Sequence, residues 1–338
     1  MNRLQKMAPA LTLVFMAPML TEVLPGATRF SSIFVLPIEM CVWGGGALLI
    51  RAAVRKWNLG WISMLLMAIG LSIAEECLIQ QTSFAPLVIR LKGVTYARSF
   101  SINYVYLTWA LIYESVFVVF LPVYLVELIF SDRAGETWVS KAGLIITSIF
   151  FVLGSYLAWF SWTRIARPKV FHLPIYTPPA PAIITAFVVI LILVFIAISV
   201  LKNKQYATTP LTPPLPWLLG LVGAVWAVLL YGIVLLAFGI APNVSPLISV
   251  GIGLLLAVFA LIFIPRFVVA PQWQSNYRFA LIFGVLLGSW AISFVGFMGP
   301  ATKDLYFKII TNIIAVVLML VLGSNVAKRR AASSVSIA

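Results

Sequence analysis

Two adjacent acids close a long apolar run in "GLSIAEECLIQQ", residues 70–81. Glu75 and Glu76 are followed by Gln80 and Gln81 within about a turn and a half of helix. Glu39 and Glu114 sit inside two other apolar runs, Glu22 ends a fourth, and Asn103 opens the run that holds Glu114. Carboxylates beside amide carbonyls are hard oxygen donors, suited to a proton or to a cation such as Na⁺, Ca²⁺ or Mg²⁺. Carboxyls held together can also share a proton and activate water. Other chemistries are missing. His172 is the only histidine, which removes His-rich zinc sites, bis-histidine haem and Ser–His–Asp hydrolysis. Cys41 and Cys77 both lie in apolar runs and form neither a disulfide framework nor a CxxC motif. No phosphate-cradling glycine loop is present, and no cofactor or metal is expected.

The elements that position these groups are membrane helices. Hydrophobic residues make up 62% of the chain and charged residues 9%, with mean hydropathy +1.09. Soluble proteins carry about 25% charged residues. Ten apolar runs recur, near 8–24, 33–54, 60–81, 102–130, 141–163, 182–201, 216–240, 246–268, 278–298 and 305–326. Each is long enough to cross a bilayer, where a chain must satisfy its own backbone hydrogen bonds and so forms helices. The fold class is therefore all-α, a polytopic transmembrane helical bundle of about ten helices. The N-terminal stretch imitates a signal peptide but lacks a small-residue cleavage site, and is expected to remain as the first helix.

The formal charge of +14 belongs to the connections rather than to a nucleic-acid module. Alternation places 14 Lys and Arg on the side of the termini and 9 on the other. That bias predicts cytoplasmic N- and C-termini and contact of the basic loops with anionic lipid. Residues 82–101 are mixed apolar and basic and read as a short interfacial helix. Residues 165–181 and 202–216 are proline-rich connections ending in "TPPAP" and "TPPLP", prolines suited to helix starts.

The acids divide the chain. Eight of nine lie in the first 136 residues, and the rest holds only Asp304. Residues 1–136 are expected to form a polar-cored four-helix part, and 137–338 an apolar six-helix part. Alternation brings the end of helix one (Glu22), the start of helix two (Glu39), the end of helix three (Glu75, Glu76) and the start of helix four (Asn103, Glu114) to one face of the membrane. An ionised carboxylate at that depth costs roughly 2.5 kcal/mol or more unless paired, protonated or wet. Arg90, Lys92 and Arg98 lie on the same side as candidate neutralisers. Glu76 and Gln80 are i, i+4 neighbours, and Asn103 and Glu114 share a face eleven residues apart. Glu75 is about 100° round from Glu76. Glu76 with Gln80 is therefore expected to line the site and Glu75 to bond a neighbouring helix. Gly44–Gly46 predict a close helix approach, and Pro122 predicts a kink past Glu114. Glu127, Asp132 and Glu136 are expected to be solvated.

"EECLIQ" resembles the adjacent-glutamate signature of the CPBP (CAAX protease and bacteriocin-processing) and PrsW-type intramembrane proteases. The resemblance implies a catalytic set of Glu75, Glu76 and Glu114. It departs from the family pattern at Gln80, where a basic residue is usual, and in lacking the aromatic-x-x-x-His element. The stretches "LTEVLPGAT", "GGGALLIR" and "GLSIAEE" are similar to those of uncharacterised bacterial membrane proteins, which implies a bacterial inner membrane. Three functions follow as expectations. The first is a carrier or permease whose ion- or substrate-binding residues are Glu39, Glu76, Gln80, Asn103 and Glu114. The second is a glutamate-dependent membrane hydrolase. The third is a non-catalytic subunit meeting a membrane partner through helices five to ten.

Overall fold

A computed structural model describes residues 3–86, 97–202, 204, 208–235, 245–297 and 302–335, with the side chains of 5–330 within those stretches. The described chain is nearly all helix. Ten helices are long and apolar enough to cross a membrane. They are α1 (Gln5–Val23), α2 (Phe30–Lys56), α3 (Trp61–Ile79), α4 (Tyr104–Ile129), α5 (Lys141–Val170), α6 (Ala180–Val200), α7 (Pro216–Leu235), α8 (Pro246–Val268), α9 (Ser275–Phe297) and α10 (Lys303–Arg330). By helix length and composition this is a multi-pass membrane protein.

Contacts between distant helix ends establish the alternation independently of the charge count. At one face Arg133, beyond the end of α4, donates to the carbonyls of Gln5 (2.8 Å) and Lys6 (2.9 Å) at the start of α1. Arg329, at the end of α10, donates to Leu128 O (3.2 Å) and Ser131 Oγ (3.1 Å) at the end of α4. This is the face of the termini. At the opposite face the Lys308 ammonium, near the start of α10, donates to Leu24 O (2.8 Å) and Pro25 O (3.0 Å), just past α1, and to Ser293 Oγ (2.8 Å).

Helix α4 is the hub. Its most apolar window is 72% buried, against 11% for those of α5, α6 and α8, which form the lipid-facing rim. One core packs α4 with α1, α2 and α3, using Leu13, Val42, Met67 and Val118. The other packs α4 with α7, α9 and α10, using Phe117, Leu230, Leu286 and Met319. Both cores draw on residues from either side of position 136.

The second core is organised by an aromatic ladder. Trp109, Tyr113 and Phe117 recur at i, i+4 on α4 and stack with centroids 4.6 Å apart at both steps. Tyr231 of α7 meets the middle ring edge-on at 5.3 Å, and each such pair adds about 0.5–1.5 kcal/mol beyond burial. Helices α7 and α9 then touch backbone to backbone, since a Cβ on Gly284 would collide with Gly220 O. In α2 the expected close approach is made by Gly44, against the backbone of Val14 in α1.

Several boundaries differ from expectation. The helix of α5 continues through Val170, because Arg164, Arg167 and Lys169 extend it past the apolar run. Residues 87–96 of the expected interfacial helix lie outside the described residues, as do Arg90 and Lys92. The described remainder is not helical: Arg98–Ser99 (β1) pairs antiparallel with Ile102–Asn103 (β2) around a turn at Phe100 and Ser101. Around Pro122 the chain changes its winding. Ser115–Phe120, just ahead of it, take the wider π form, which accommodates a residue that cannot donate its N–H.

Glu127 is corrected from a solvated acid to a buried one. It is 3% exposed and pairs with Arg51 (3.1 Å, 1% exposed) and Arg55 (2.6 Å, 34% exposed). Arg51 also donates to Glu136 O (2.9 Å) and Ala134 O (2.8 Å) and lies 3.1 Å from the Trp138 ring centroid. Glu136 is exposed as expected, and its hydrogen bonds from Arg133 hold its carboxyl below the usual glutamate range. That contact is complete above the usual glutamate pKa and is lost as pH falls through the lowered value. Removing the anion from a buried pair leaves a buried charge uncompensated. Glu127→Gln is expected to cost about 3–5 kcal/mol and Arg55→Gln about 1 kcal/mol or less. Unfolding in detergent micelles checks this; equal losses in the two variants would contradict the assignment.

Candidate functional site

The stripe of α4 next to the aromatic ladder, about 60° round the helix from it, carries Tyr106, Ala110 and Glu114, again at i, i+4 and i+8, and the Tyr106 ring lies 5.6 Å from that of Trp109. This stripe packs on the end of α3. Ala110 is small, so Ser72 Oγ reaches its carbonyl at 3.2 Å. One turn toward the opposite face, Tyr106 Oη donates to Glu76 Oε1 at 3.3 Å, and Ser83 Oγ donates to Glu76 Oε2 at 3.4 Å. Glu114 comes within hydrogen-bonding range of both Glu75 and Glu76. Three carboxyls therefore meet between α3 and α4, at 1%, 3% and 7% exposure for Glu75, Glu76 and Glu114.

The winding of α3 explains how both neighbours reach one partner. Ala74–Ile79 are π-wound, and Gln80 N–H donates to Glu75 O at 2.7 Å, five residues back. The wider turn puts fewer degrees between successive side chains than the 100° of an α-helix. This corrects the expectation that Glu75 and Glu76 face different neighbours. Gln80 is half-buried, and its Oε1 accepts from Thr82 Oγ1 at 3.5 Å. π-wound turns also occur at Met19–Val23, which contains Glu22, and at Met40–Gly44, which follows Glu39.

Asn103 is corrected from a helix-face residue to a cap. Its backbone is extended, and its Oδ1 accepts from Tyr106 N–H at 2.9 Å, satisfying a free donor at the start of α4. Its own N–H donates to Ser83 O at 2.9 Å. Asn103 thus holds in register the two residues, Tyr106 and Ser83, whose hydroxyls contact Glu76.

Glu22 and Glu39 extend the acids toward the membrane surface. Glu22 is half-buried, within electrostatic range of Glu39, Glu75 and Glu76. Glu39 is buried, with one oxygen accepting from the Thr28 hydroxyl. Five carboxyls therefore run from Glu39 through Glu22 to the trio on α3 and α4.

No described cation answers them. Among the described residues none of the five is in an ion pair. Arg98, expected as a neutraliser, instead donates to the carbonyls of Phe84, Ala85 and Ser101. Lys308 is spent on the carbonyls past α1. Both oxygens of Glu75 and one each of Glu39 and Glu114 have no N–H or O–H donor. Such a cluster reaches neutrality by sharing protons or taking up a cation. Among the described residues no group of three or more His, Cys, Asp or Glu has an arrangement able to hold a metal ion.

Tyr106, Thr28 and Ser83 were missed as contributors. Tyr106 could have been found, lying eight residues before Glu114 on one helix face. Tyr113 was also missed. Its hydroxyl donates to Thr21 O at 2.7 Å beside Glu22 and lies in hydrogen-bonding range of Tyr231.

Two cavities accompany the cluster, and none of the five acids lines either. The smaller, about 540 Å³, lies behind the end of α3 and includes Gln81, Arg164 and Tyr176. The larger, about 820 Å³, lies toward the face of the termini between α3, α4, α7 and α8, and extends along α4 to Val116, two residues past Glu114. No family model, curated protein or solved structure matches the chain.

Glu75 offers a direct probe. A Gln there supplies an N–H donor toward Glu114 where the native carboxylate supplies none, whereas Tyr106→Phe removes a donor from Glu76. Glu75→Gln is expected to raise stability, and Tyr106→Phe to lower it, each by about 1 kcal/mol. Denaturation midpoints of the two variants check this; a loss in Glu75→Gln matching that in Tyr106→Phe would contradict the packing described.

Proposed function

We propose that the protein is a carrier or permease of a bacterial inner membrane, with both termini cytoplasmic, that binds a proton or small cation together with a solute. The carrying observation is the set of five buried or half-buried carboxyls on α1 to α4 with no basic partner among the described residues. Such groups at membrane depth mark ion and proton pathways. The donor geometry favours a proton over a metal ion, with Glu76 and Glu114 as the exchanging pair and Glu22, the most exposed of the five, linking them to Glu39. The larger cavity supports this reading, since it approaches the same stretch of α4 from the other face. In this picture the segment around Glu114 separates two routes, as alternating access requires.

A cysteine at position 114 tests it, in a background with Cys41 and Cys77 replaced by alanine. In proteoliposomes, a membrane-impermeant maleimide is expected to reach position 114 from either face, with the balance shifting as external pH is changed. Labelling from one face alone at every pH would rule the carrier out.

One observation favours the hydrolase as a second reading: Glu76 and Glu114 come close enough to hold one water between them. Cleavage of fluorogenic transmembrane peptides, lost in both Glu76→Gln and Glu114→Gln, would establish it. An inactive wild-type protein would dismiss it.

A further inference from the structure

The larger cavity carries a second assignment, independent of the acid cluster. Its walls are the halves of α3, α4, α7, α8 and α9 nearest the face of the termini, together with residues of the α6–α7 and α8–α9 connections. Deep in the cavity the walls are aromatic and aliphatic, with Phe120 and Trp226 facing Phe263. Among the described residues only two charged side chains line it, Lys204 and Arg278, and both are basic. Lys204 follows the end of α6 by four residues, and Arg278 lies in the first turn of α9, so both mark the membrane surface. Arg278 sits 5.6 Å from the ring centroid of Tyr124, which turns its guanidinium along the cavity wall. No carboxylate lines the cavity to balance them. Helix α8, the rim helix on its outer side, has only 11% of its most apolar window buried, so this wall stands against the lipid.

The geometry points to a binding site for an anionic phospholipid, its phosphate held by Lys204 and Arg278 and its acyl chain laid between α4, α7 and α8. Three features select this occupant. The volume suits a chain-sized ligand rather than a headgroup alone. The charge lies at headgroup depth and the apolar walls lie deeper, the order of a lipid in its own leaflet. The net charge of the lining matches a phosphate. A free organic anion would need polar partners along the deep walls, which are apolar.

Native mass spectrometry of the full chain in detergent, titrated with phosphatidylglycerol or phosphatidylcholine, tests the assignment. Wild type is expected to hold phosphatidylglycerol about tenfold more tightly. Lys204→Gln with Arg278→Gln should abolish that preference while leaving phosphatidylcholine binding unchanged. Ala260→Trp, which fills the cavity, should weaken both lipids, whereas Ile149→Trp on the exposed side of α5 should weaken neither. Lys204 is exposed, so Lys204→Gln alone carries the charge test should the other variants fail to fold, and a reduced preference is expected. Displacement of phosphatidylglycerol by millimolar inorganic phosphate would show that the chain is not held and would overturn the proposal. So would a preference that survives Lys204→Gln with Arg278→Gln, or equal effects of Ala260→Trp and Ile149→Trp. None of these outcomes bears on the carboxyl cluster.

Discussion

The seam between α3 and α4 is the constraint on which the rest of the structure depends. Three carboxyls meet there with no basic group beside them among the described residues. Burying them is tolerable only if nearby hydroxyls donate and the acids share their charge with something mobile. That demand fixes α4 in rotation. With Tyr106, Ala110 and Glu114 facing α3, the residues Trp109, Tyr113 and Phe117 must face α7. The aromatic ladder and the acid seam are neighbouring stripes of one helix, about 60° apart. A rotation that relieved one would break the other.

Around this hub the charges are sorted by partner type. At the face of the termini, basic groups find acids: Arg51 and Arg55 enclose Glu127, and Arg133 holds Glu136. At the opposite face they find carbonyls, as Lys308 and Arg98 do. Among the described residues, the acids of that face on α1 to α4 are thereby left without counter-ions, although basic residues are close in sequence. Carboxyl oxygens that lack donors are held at the expense of stability.

The ten helices were legible because a bilayer demands long apolar runs, and their alternation brought the acid-bearing ends to one face. Finer features were not legible, for specific reasons. The orientation of Glu75 depends on π winding, which the residues Ala74–Ile79 do not advertise. Asn103 reads equally well as a face residue or a cap until the first helical residue is known. Glu127 looked solvated from its place near a helix end. Its burial requires Arg51, 76 positions earlier, to lie alongside it. Arg98 was close enough in sequence to serve the acids, but the strand pair at Arg98–Asn103 turns it toward its own loop. In each case the missing knowledge was a backbone detail or a distant partner.

The Lys308 contact bears on the order in which the molecule is made. Its ammonium and the nearby Asn312 amide both donate to Leu24 O, past the end of the first helix. Lys308 is made 284 residues after Leu24. Until α10 is made, the carbonyls beside Glu22 therefore lack these donors. The α1 side of the acid-bearing face is thus completed only when a helix some 284 residues further along the chain packs beside it.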